Sequence, residues 1–475
     1  MAIADLLQSC EGTTLAPAYG SPLVELSAAG DILTVSDFHL AGGRSGGVYH
    51  GTENFFADEA FHRFLRHVAS RAGPDALLIV NGDFVDFIRI TDLPVNETDF
   101  KWWSQQLAEL GIERPIEELR RSIDKRERQY GLKTHDFKSV YKLAVAERGH
   151  PAVFRALAEW VAAGHRLVFV KGNHDLEWYW PAVRNCMRLI LAKRMASSGQ
   201  DVQEALRRVL PLVLFVDDRL VVNGELYLEH GHRYDRYARV IGSPAINGEE
   251  LNLPFGLFLN RYVINKIELD FPFYTKVRPA EKLLPMLFRE RFFLGLKVLF
   301  YHAPLALLTI PKKYYRYLLR RVLPLAAALV LPLVALAVLL YPAVKEAAGM
   351  PAVRTLASLA MPAVSYFAAR IVAWLQLAEP DTLAAPARRV LAEHPSVRRV
   401  LMGHTHNPEQ FEQAGRWYHN TGTWIPVIEA ASGALRENRS YVFLEIQRRS
   451  GRDPLLECWN DDAQRAEDLA VVDRE

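Results

Sequence analysis

Short apolar runs, each followed by a turn that carries acid or imidazole side chains, recur along this chain. Residues 32–35, 76–80 and 166–170 are mainly aliphatic runs of four or five residues and predict buried strands. Between the first two runs, apolar residues at helical spacing over 53–70 predict a helix. A strand, helix, strand order of this kind predicts an α/β fold whose chemistry lies at the strand ends.

The pattern changes further along the chain. Residues 97–163 are rich in charge and mostly helical in spacing, and they predict a helical insertion that could cap the strand ends. Residues 211–229 are strand-like and contain Asn223-Gly224, which is a hairpin signal. A further apolar run at 399–402 predicts another strand that leads into a glycine turn.

The longest apolar segments lie in the second half of the chain. Residues 322–344 contain no charged side chain, and residues 355–378 contain only Arg370. About 20 apolar residues span the core of a bilayer, so both segments are long enough to cross it. Basic residues and tyrosines at 312–321, and arginines at 388–399, flank the two segments and favour a cytoplasmic location for both flanks.

Several arrangements of this apolar insert stay open. A hairpin of two membrane spans, or a re-entrant or surface-lying helical pair, is favoured over a buried soluble hairpin such as a dimer interface. A single span is excluded if the motifs on both sides of the insert share one site. Residues 285–311 mix phenylalanine with basic residues and predict either an interfacial amphipathic stretch or an ordinary core-facing helix.

Composition narrows the class of protein only a little. Half of the 475 residues are apolar, which permits a large packed core in two to four domains or in one domain with a large insertion. The formal net charge of +2 and the lack of a basic, aromatic-interleaved groove argue against nucleic acid as a partner. Three distant cysteines, Cys10, Cys186 and Cys458, favour a reducing compartment without disulfides or a Cys-rich zinc site. The first thirty residues lack the pattern of a cleaved signal peptide.

Five short motifs carry the candidate chemistry, and each holds acid or imidazole side chains at a turn. They read Asp37-Phe38-His39, Gly82-Asp83-Phe84-Val85-Asp86, Gly172-Asn173-His174-Asp175, His230-Gly231-His232 and Gly403-His404-Thr405-His406. Carboxylates, an amide oxygen and imidazoles brought to one sheet edge suit a pair of borderline divalent metal ions. The two oxygens of Asp83 can bind both ions, while Asp86 is expected to orient a histidine ligand. Together the motifs predict a two-metal hydrolase.

The ordered set of motifs resembles that of the calcineurin-like metallophosphoesterases, over about residues 31–240 and 390–450. The resemblance implies a two-sheet αββα sandwich. It implies that one metal ion is held by Asp37, His39, Asp83 and His406, and the second by Asp83, Asn173, His230 and His404. His174 matches the histidine that contacts the phosphate and assists the leaving group. The implied cofactors are two divalent ions, Mn²⁺, Fe or Zn²⁺, and the implied reaction is in-line attack on phosphorus by a hydroxide between them.

Within that family, the motif sequences are most similar to those of the UDP-2,3-diacylglucosamine pyrophosphohydrolases of lipid A synthesis. The similar segments lie at 37–40, 82–86 and 403–408. This chain departs from that subfamily at His174, where arginine is typical, at His232, where aspartate is typical, and in having a long apolar insert. His232 is therefore open to three interpretations: a spare ligand, a substrate contact or a surface residue.

These observations combine into one predicted organisation and function. The fold is predicted as α/β, a calcineurin-like two-sheet αββα sandwich with a helical, membrane-associated insertion. The predicted segments are 1–240 and 386–450 for the phosphoesterase domain, 241–385 for the apolar helical insert and 451–475 for a loose acidic tail. The predicted function is hydrolysis of a phosphate ester or pyrophosphate, of a lipid or lipid-linked nucleotide, at a membrane with the catalytic domain facing the cytoplasm. The alternatives are a protein Ser/Thr phosphatase and a catalytically silent membrane scaffold.

Overall fold

The computed structural model describes residues 3–8, 14–15, 23–196, 201–271, 277–278, 283–315, 382–426, 428–429, 441–448 and 453–469. The two predicted membrane segments, 322–344 and 355–378, lie outside these residues. Within the described ranges, no helix combines the length and the apolar character that a membrane span needs.

The secondary structure mixes strands and helices along the whole described chain. The strands are β1 (Thr14–Leu15), β2 (Val24–Leu26), β3 (Ile32–Val35), β4 (Arg44–Ser45), β5 (Val48–Tyr49), β6 (Leu77–Asn81), β7 (Arg166–Val170), β8 (Val213–Val216), β9 (Arg219–Val222), β10 (Leu226–Glu229), β11 (Ala245–Ile246), β12 (Glu250–Leu251), β13 (Val277–Arg278), β14 (Arg399–Met402), β15 (Glu409–Gln413), β16 (Arg416–Asn420), β17 (Ile428–Glu429), β18 (Val442–Ile446), β19 (Leu456–Asn460) and β20 (Arg465–Asp468).

The helices fall mostly between and after the strands of the first half. They are α1 (Ile3–Gln8), α2 (Asp58–Arg71), α3 (Glu97–Glu109), α4 (Ile116–Arg121), α5 (Lys125–Tyr130), α6 (Asp136–Gly149), α7 (Pro151–Ala162), α8 (Pro181–Ala196), α9 (Val202–Leu212), α10 (Phe255–Leu259), α11 (Asn265–Asp270), α12 (Leu283–Glu290), α13 (Phe292–Lys297), α14 (Ala303–Thr309) and α15 (Ala384–Glu393). Short 3-10 turns lie at Leu176–Tyr179, His232–Tyr234 and Lys312–Tyr314, and π-helical turns at Asn260–Ile264 and Val298–His302.

Two large sheets organise the described chain. The first has eight strands in the order β1-β8-β7-β6-β3-β18-β19-β20, and the second has six in the order β15-β16-β14-β10-β9-β2. In the first sheet β3, β6, β7 and β8 run parallel to one another. In the second sheet β10 and β14 are parallel. Parallel neighbours bring their carboxyl ends to the same edge, so each sheet can gather side chains there.

Strand β6 shows why the apolar runs form interior strands. All of its residues are buried, as expected of a parallel strand covered on both faces. Leu77 and Ile79 point into a core shared with Leu220 and Leu228 of the second sheet. The alternate residues, represented by Leu78, point into a second core on the opposite face. The two sheets therefore face each other across a common apolar layer.

Helices cover the outer face of each sheet. Phe61, Phe64 and Leu157, from α2 and α7, lie in the core on the outer face of the eight-stranded sheet. Helix α15 covers the outer face of the six-stranded sheet, where Val390 packs in one core with Val400. The fold is thus a mixed α/β sandwich of two large sheets with helices on both sides.

Most of the local predictions match these elements. The runs at 32–35, 76–80 and 166–170 are confirmed as strands, with β6 starting and ending one residue later than its run. The charged stretch at 97–163 is confirmed as mostly helical, since α3 to α7 lie within it. The Asn223-Gly224 turn is confirmed as the hairpin between β9 and β10.

The prediction of a loose tail at 451–475 is wrong for part of that segment. Strand β19 pairs with β18, and β20 pairs with β19, at the edge of the eight-stranded sheet. Leu456 and Trp459 are buried there. Their contribution was hidden by the acidic composition of the segment, which says nothing about which face of a strand the few apolar residues share.

The chain divides by internal contacts into two compact units. The first is Met1–Ala306 with Pro380–Glu475, and the second is Leu307–Glu379. The described part of the second unit, 307–315, contains the end of α14 and the 3-10 turn Lys312–Tyr314. Residues 241–306 of the predicted insert therefore belong to the unit that contains both large sheets.

Candidate metal centre

The five sequence motifs lie at the carboxyl ends of parallel strands. The strands and the motif residues that follow them are β3 with Asp37 and His39, β6 with Asp83, β7 with Asn173 and His174, β10 with His230, and β14 with His404 and His406. A hydrogen bond from Nδ2 of Asn81 to the carbonyl oxygen of Glu229 (3.1 Å) joins the two sheets at this edge. Residues from five separate parts of the sequence thereby reach one place.

The first group of candidate ligands contains Asp37, His39 and His406, with ligand atoms all within 4.8 Å of one another. Nε2 of His406 lies 3.2 Å from Oδ1 of Asp37 and 2.9 Å from Nε2 of His39. Ligand atoms that bind one ion at bond lengths of about 2.1 Å lie about 3 Å apart when their bonds are perpendicular. These spacings therefore fit ligands that converge on one ion.

The second group contains Asp83, His230 and His404, again within 4.8 Å. Oδ2 of Asp83 lies 3.0 Å from Nε2 of His230 and 3.6 Å from Nε2 of His39 in the first group. One carboxylate thus stands between the two groups, as a bridging ligand must. Asp83, His39 and His174 also form a group with the same spacing, so His174 lies beside the site and faces the same carboxylate.

Three buried atoms at this site make no hydrogen bond of standard geometry with the described residues: Oδ2 of Asp83, Oδ1 of Asn173 and Nε2 of His230. Oδ2 of Asp83 and Nε2 of His230 lie 3.0 Å apart as an ion pair, whereas Oδ1 of Asn173 is left unpaired among these residues, which costs about 1–3 kcal/mol for a buried polar atom. A cation bound by these atoms would satisfy all three. Nδ1 of His230 donates to the carbonyl oxygen of Asn81 (2.9 Å), which leaves Nε2 as the nitrogen that can bind a cation. The donor set therefore fits divalent metal ions.

The backbone at these residues is strained. Eleven non-glycine residues in the described chain have positive φ, and five of them are proposed ligands: Asp37 (55°), His39 (51°), Asp83 (53°), His404 (68°) and His406 (55°). The left-handed region costs most residues about 1 kcal/mol or more. Such strain persists where the surrounding structure fixes it, and it concentrates at functional sites.

Two motif glycines are required by close approach to the ligands. A Cβ atom on Gly403 would collide with the carboxylate of Asp37, and one on Gly172 would collide with that of Asp83. The backbone N–H of His404 also points at Asp37, 3.1 Å from Oδ2. The glycines of these motifs therefore let the backbone of one strand end lie directly against the carboxylate of another.

The charges at the site compensate one another. Burial alone would lower the pKa of His230, but the carboxylates of Asp83 and Asp37 raise it to about 10. Burial alone would also lower the pKa of His39, but Asp37 and Asp86 raise it to about 9. Burial alone would raise the pKa of Asp37, yet the nearby imidazoles, His230 first, hold it well below its usual range. Bound divalent cations would replace these imidazolium protons, so metal binding should release protons.

Asp86 occupies the orienting position predicted for it. Its Oδ2 lies 3.3 Å from Nδ1 of His39 and 2.7 Å from Nδ1 of His174. It is also 3.2 Å from Nε of Arg89. Burial would raise the pKa of Asp86, but His174, His39 and Arg89 hold it well below its usual range. An ionised carboxylate therefore fixes both imidazoles through their Nδ1 atoms and leaves Nε2 of each available.

Several residues that shape the site were missed by the sequence analysis. Buried Asp235 lies 3.2 Å from Nε2 of His404 and fixes that ring. Arg89, which contacts Asp86, forms a buried ion pair with Glu268 of α11. Arg89 stands three residues after Asp86, a spacing that hints at contact. No such signal marks Asp235 or Glu268, whose partners lie 169 and 179 residues away.

The remaining motif residues have clear positions. Asn173 is buried, between Gly172, whose Cα lies close to Asp83, and His174, whose N–H donates to Oδ1 of Asp83 (2.8 Å). The ring of His232 lies 5.5 Å from that of His230, and burial keeps its pKa well below the usual value. His232 is not in any of the ligand groups found among the described residues.

Comparison with known proteins adds no family assignment, because no protein-family model and no curated protein matches the chain. The geometry of the site is therefore the basis of the function proposed below.

Proposed function

We propose that this protein is a metallophosphoesterase with a calcineurin-like αββα sandwich, which hydrolyses a phosphate ester or pyrophosphate. The observation that carries the proposal is the pair of ligand groups joined by the carboxylate of Asp83. Oδ1 of buried Asn173 in addition has no hydrogen-bond partner among the described residues. A bridging carboxylate between two imidazole-rich groups is the arrangement that two ions about 3.5–4 Å apart require. A single structural ion would need only one such group.

Each ion would be held by ligands from both sheets. The proposed ligands are Asp37, His39, Asp83 and His406 for one ion, and Asp83, Asn173, His230 and His404 for the other. When bound, Mn²⁺, Fe or Zn²⁺ would acidify a water molecule and neutralise the negative charge that develops on the phosphoryl oxygens. The absence of a thiolate from the set agrees with this range of metals.

His174 is proposed to act on the substrate. Its side chain is partly exposed, and its Nδ1 lies against Asp86 at 2.7 Å. That contact leaves Nε2 directed away from Asp86, where it can donate a hydrogen bond to a phosphoryl oxygen or a proton to the leaving oxygen. Asp86 would act as the positioning residue for this imidazole.

A lipid or lipid-linked nucleotide at the cytoplasmic face of a membrane is the substrate that we propose. The uncharged segment 322–344 and its basic flanks support a membrane location. In the described residues, the first part of the insert is attached to the site, since Nδ2 of Asn265 donates to the carbonyl oxygen of Ile88 (2.8 Å). The apolar segments that follow this part in the sequence would suit a substrate with an acyl chain.

The test is metal analysis and a substrate panel on the full chain, purified in detergent. The panel should contain a soluble phosphomonoester, a soluble phosphodiester, a phosphopeptide, and lipid phosphates and pyrophosphates in mixed micelles. We expect about two ions of Mn, Fe or Zn per chain and turnover that is highest on a lipid substrate. Purified protein without metal and without turnover would contradict the proposal and favour a scaffold. Preference for the phosphopeptide would identify a protein phosphatase instead.

A further inference from the structure

Residues 292–306 form one continuous helical stretch with an unusual outer face. Helix α13, the π turn Val298–His302 and the start of α14 follow one another without a break. Gly295, Val298, His302 and Ala306 are buried at a spacing of three or four residues, so they define the inner face. A surface helix ordinarily carries polar side chains on the opposite face.

The outer face carries large aromatic side chains instead. The exposed fractions are 82% for Phe293, 73% for Phe300, 54% for Phe292 and 50% for Tyr301. We call these four residues the aromatic patch. Every strongly exposed phenylalanine among the described residues belongs to it. Exposed apolar side chains that cluster in this way mark an interaction surface.

The charge around the aromatic patch is mostly positive. Residues 282–321 contain nine lysines and arginines and a single acid, Glu290. Among the described residues of this stretch, Arg289, Arg291 and Lys297 are exposed beside the aromatic patch. Aromatic rings flanked by lysine and arginine are the composition that binds the interface of a bilayer with anionic headgroups.

We propose that the aromatic patch is the surface through which this protein docks on an anionic lipid bilayer. Phe293 and Phe300 would enter the acyl boundary, and Arg289, Arg291 and Lys297 would contact the headgroup phosphates. The inference deepens the proposed membrane location and rests on it, but it does not depend on the hydrolytic chemistry, which has its own test above.

Two features favour a bilayer over a protein as the occupant. A second copy of the chain would bring two like-charged basic surfaces together, which is unfavourable. The chain that follows the described helix also continues through the basic segment 312–321 directly into the uncharged run 322–344. The aromatic patch is thus next in sequence to the most apolar part of the molecule.

The test places an environment-sensitive fluorophore at single introduced cysteines in the full chain. Phe293→Cys and Phe300→Cys report on the aromatic patch, and Val95→Cys, which is 84% exposed in the α/β unit, is the matched control. Labelled wild-type chain gives the background from the three native cysteines. Each protein is mixed with preformed phosphatidylcholine vesicles with or without phosphatidylglycerol, and nitroxide-labelled lipids serve as quenchers.

We expect a blue shift and quenching at 293 and 300 but not at 95, both stronger with phosphatidylglycerol. Removal of the apolar side chains in Phe293→Ser/Phe300→Ser should weaken vesicle binding about tenfold or more, while Val95→Ser should not change it.

Labels at 293 and 300 that stay water-exposed on vesicle-bound protein would overturn the docking surface and leave the membrane location standing. A blue shift that needs no vesicles and grows with protein concentration would also overturn it, in favour of a second copy. If the wild-type chain did not bind vesicles, the proposed membrane location would be wrong as well. Turnover of a soluble phosphodiester by the same protein would then show that the proposed hydrolytic activity still stands.

Discussion

At the scale of single residues, the site combines strained backbone conformations with side chains that polar contacts hold in place. Five proposed ligands have left-handed backbone conformations, which Asp and His tolerate better than most residues but which still cost free energy. The compensation comes from neighbouring strand ends, as when the N–H of Asp37 donates to the carbonyl oxygen of Gly82 (3.1 Å) and that of His39 to Asp83 (2.9 Å). Strain of this kind gives fixed ligand directions, which two-metal chemistry needs.

The first prediction concerns the bridging carboxylate. Asp83→Asn replaces one oxygen by an amide nitrogen that cannot bind a cation, so we expect loss of both ions and a fall in kcat of at least about 100-fold. Asp75→Asn is a matched control, because Asp75 also has a positive φ (59°) but its side chain is 48% exposed in a surface ion pair. Metal content and kcat should both stay at the wild-type level in the control. Full metal occupancy in Asp83→Asn would contradict the bridging role.

The second prediction concerns Asp235, which the sequence did not reveal. Loss of a carboxylate that fixes a metal-binding histidine typically costs 10–100-fold in metal affinity or activity. We therefore expect Asp235→Asn to raise the dissociation constant of one of the two ions about tenfold, measured by titration of metal into metal-free protein. Asp218→Asn, an exposed aspartate beside Arg233, is the control. Equal affinities in Asp235→Asn and wild type would show that the contact with His404 has no role in metal binding.

At the scale of elements, the segment that follows His39 is anchored by a buried charged cluster. Oε2 of Glu53 accepts hydrogen bonds from the backbone N–H of Gly43 (2.6 Å) and Ala41 (3.2 Å). The same oxygen lies 3.0 Å from Nε2 of His150, whose Nδ1 lies 2.9 Å from Asp58 of α2. The junction of α6 and α7 is thereby tied to the loop behind a proposed metal ligand.

The third prediction is the pH dependence that this cluster gives to stability. Burial alone would lower the pKa of His150, but Glu53 and Asp58 raise it to about 9 from 6.5. A raised folded-state pKa means that the folded chain binds more protons, so the stabilisation is complete below pH 6.5 and is lost as the pH rises through 9. Burial would raise the pKa of Glu53, yet His150 first and backbone N–H groups hold it below 4.5. The contribution of Glu53 is therefore present above pH 4.5 and is lost only in more acidic solution.

Denaturant unfolding between pH 6 and 9.5 measures this effect. We expect the free energy of unfolding to fall by up to about 3 kcal/mol more in the wild type than in His150→Gln over this range. His62→Gln, which removes a partly exposed imidazole from α2, should keep the wild-type slope. The same slope in His150→Gln and wild type would rule out His150 as the titrating group.

The elements also show how far the sequence can predict this molecule. Strands such as β6 and β7 were predictable because a parallel strand covered on both faces is a continuous apolar run. The grouping of the proposed ligands was predictable because each motif is local, with its acid or imidazole directly after such a run. Contacts such as Asp235 with His404 were not, because a pairing across 169 residues depends on how the two sheets face each other. Strand β19 was missed because its two buried residues lie in an acidic stretch.

At the scale of the whole molecule, a buried ion pair connects the proposed insert to the proposed metal centre. Glu268 of α11 pairs with Arg89, and Arg89 contacts Asp86, which touches both His39 and His174. Burial would lower the pKa of Arg89, but Glu268 and Asp86 keep it above its ordinary value. The guanidinium thus divides its charge between a carboxylate of the insert and one at the site.

The fourth prediction tests this connection with Glu268→Gln. Arg89 would then lose one of its buried carboxylate partners and interact more strongly with those that remain, Asp86 among them. The imidazoles of His39 and His174, which Asp86 holds, would lose their fixed orientation. We expect kcat on a soluble phosphodiester to fall roughly tenfold, with a smaller change in KM, because orientation matters most in the transition state. The free energy of unfolding should fall by about 2 kcal/mol, since a buried ion pair becomes a hydrogen bond from the charged guanidinium to a neutral amide. Glu249→Gln, an exposed neighbour in the same insert, controls for the substitution itself.

A loss of stability with unchanged kcat and metal affinity would make Glu268 a structural residue only. A loss of both stability and kcat would mean that Arg89 couples the position of α11 to the orientation of His39 and His174. A movement of the insert at a membrane would then change the rate of hydrolysis.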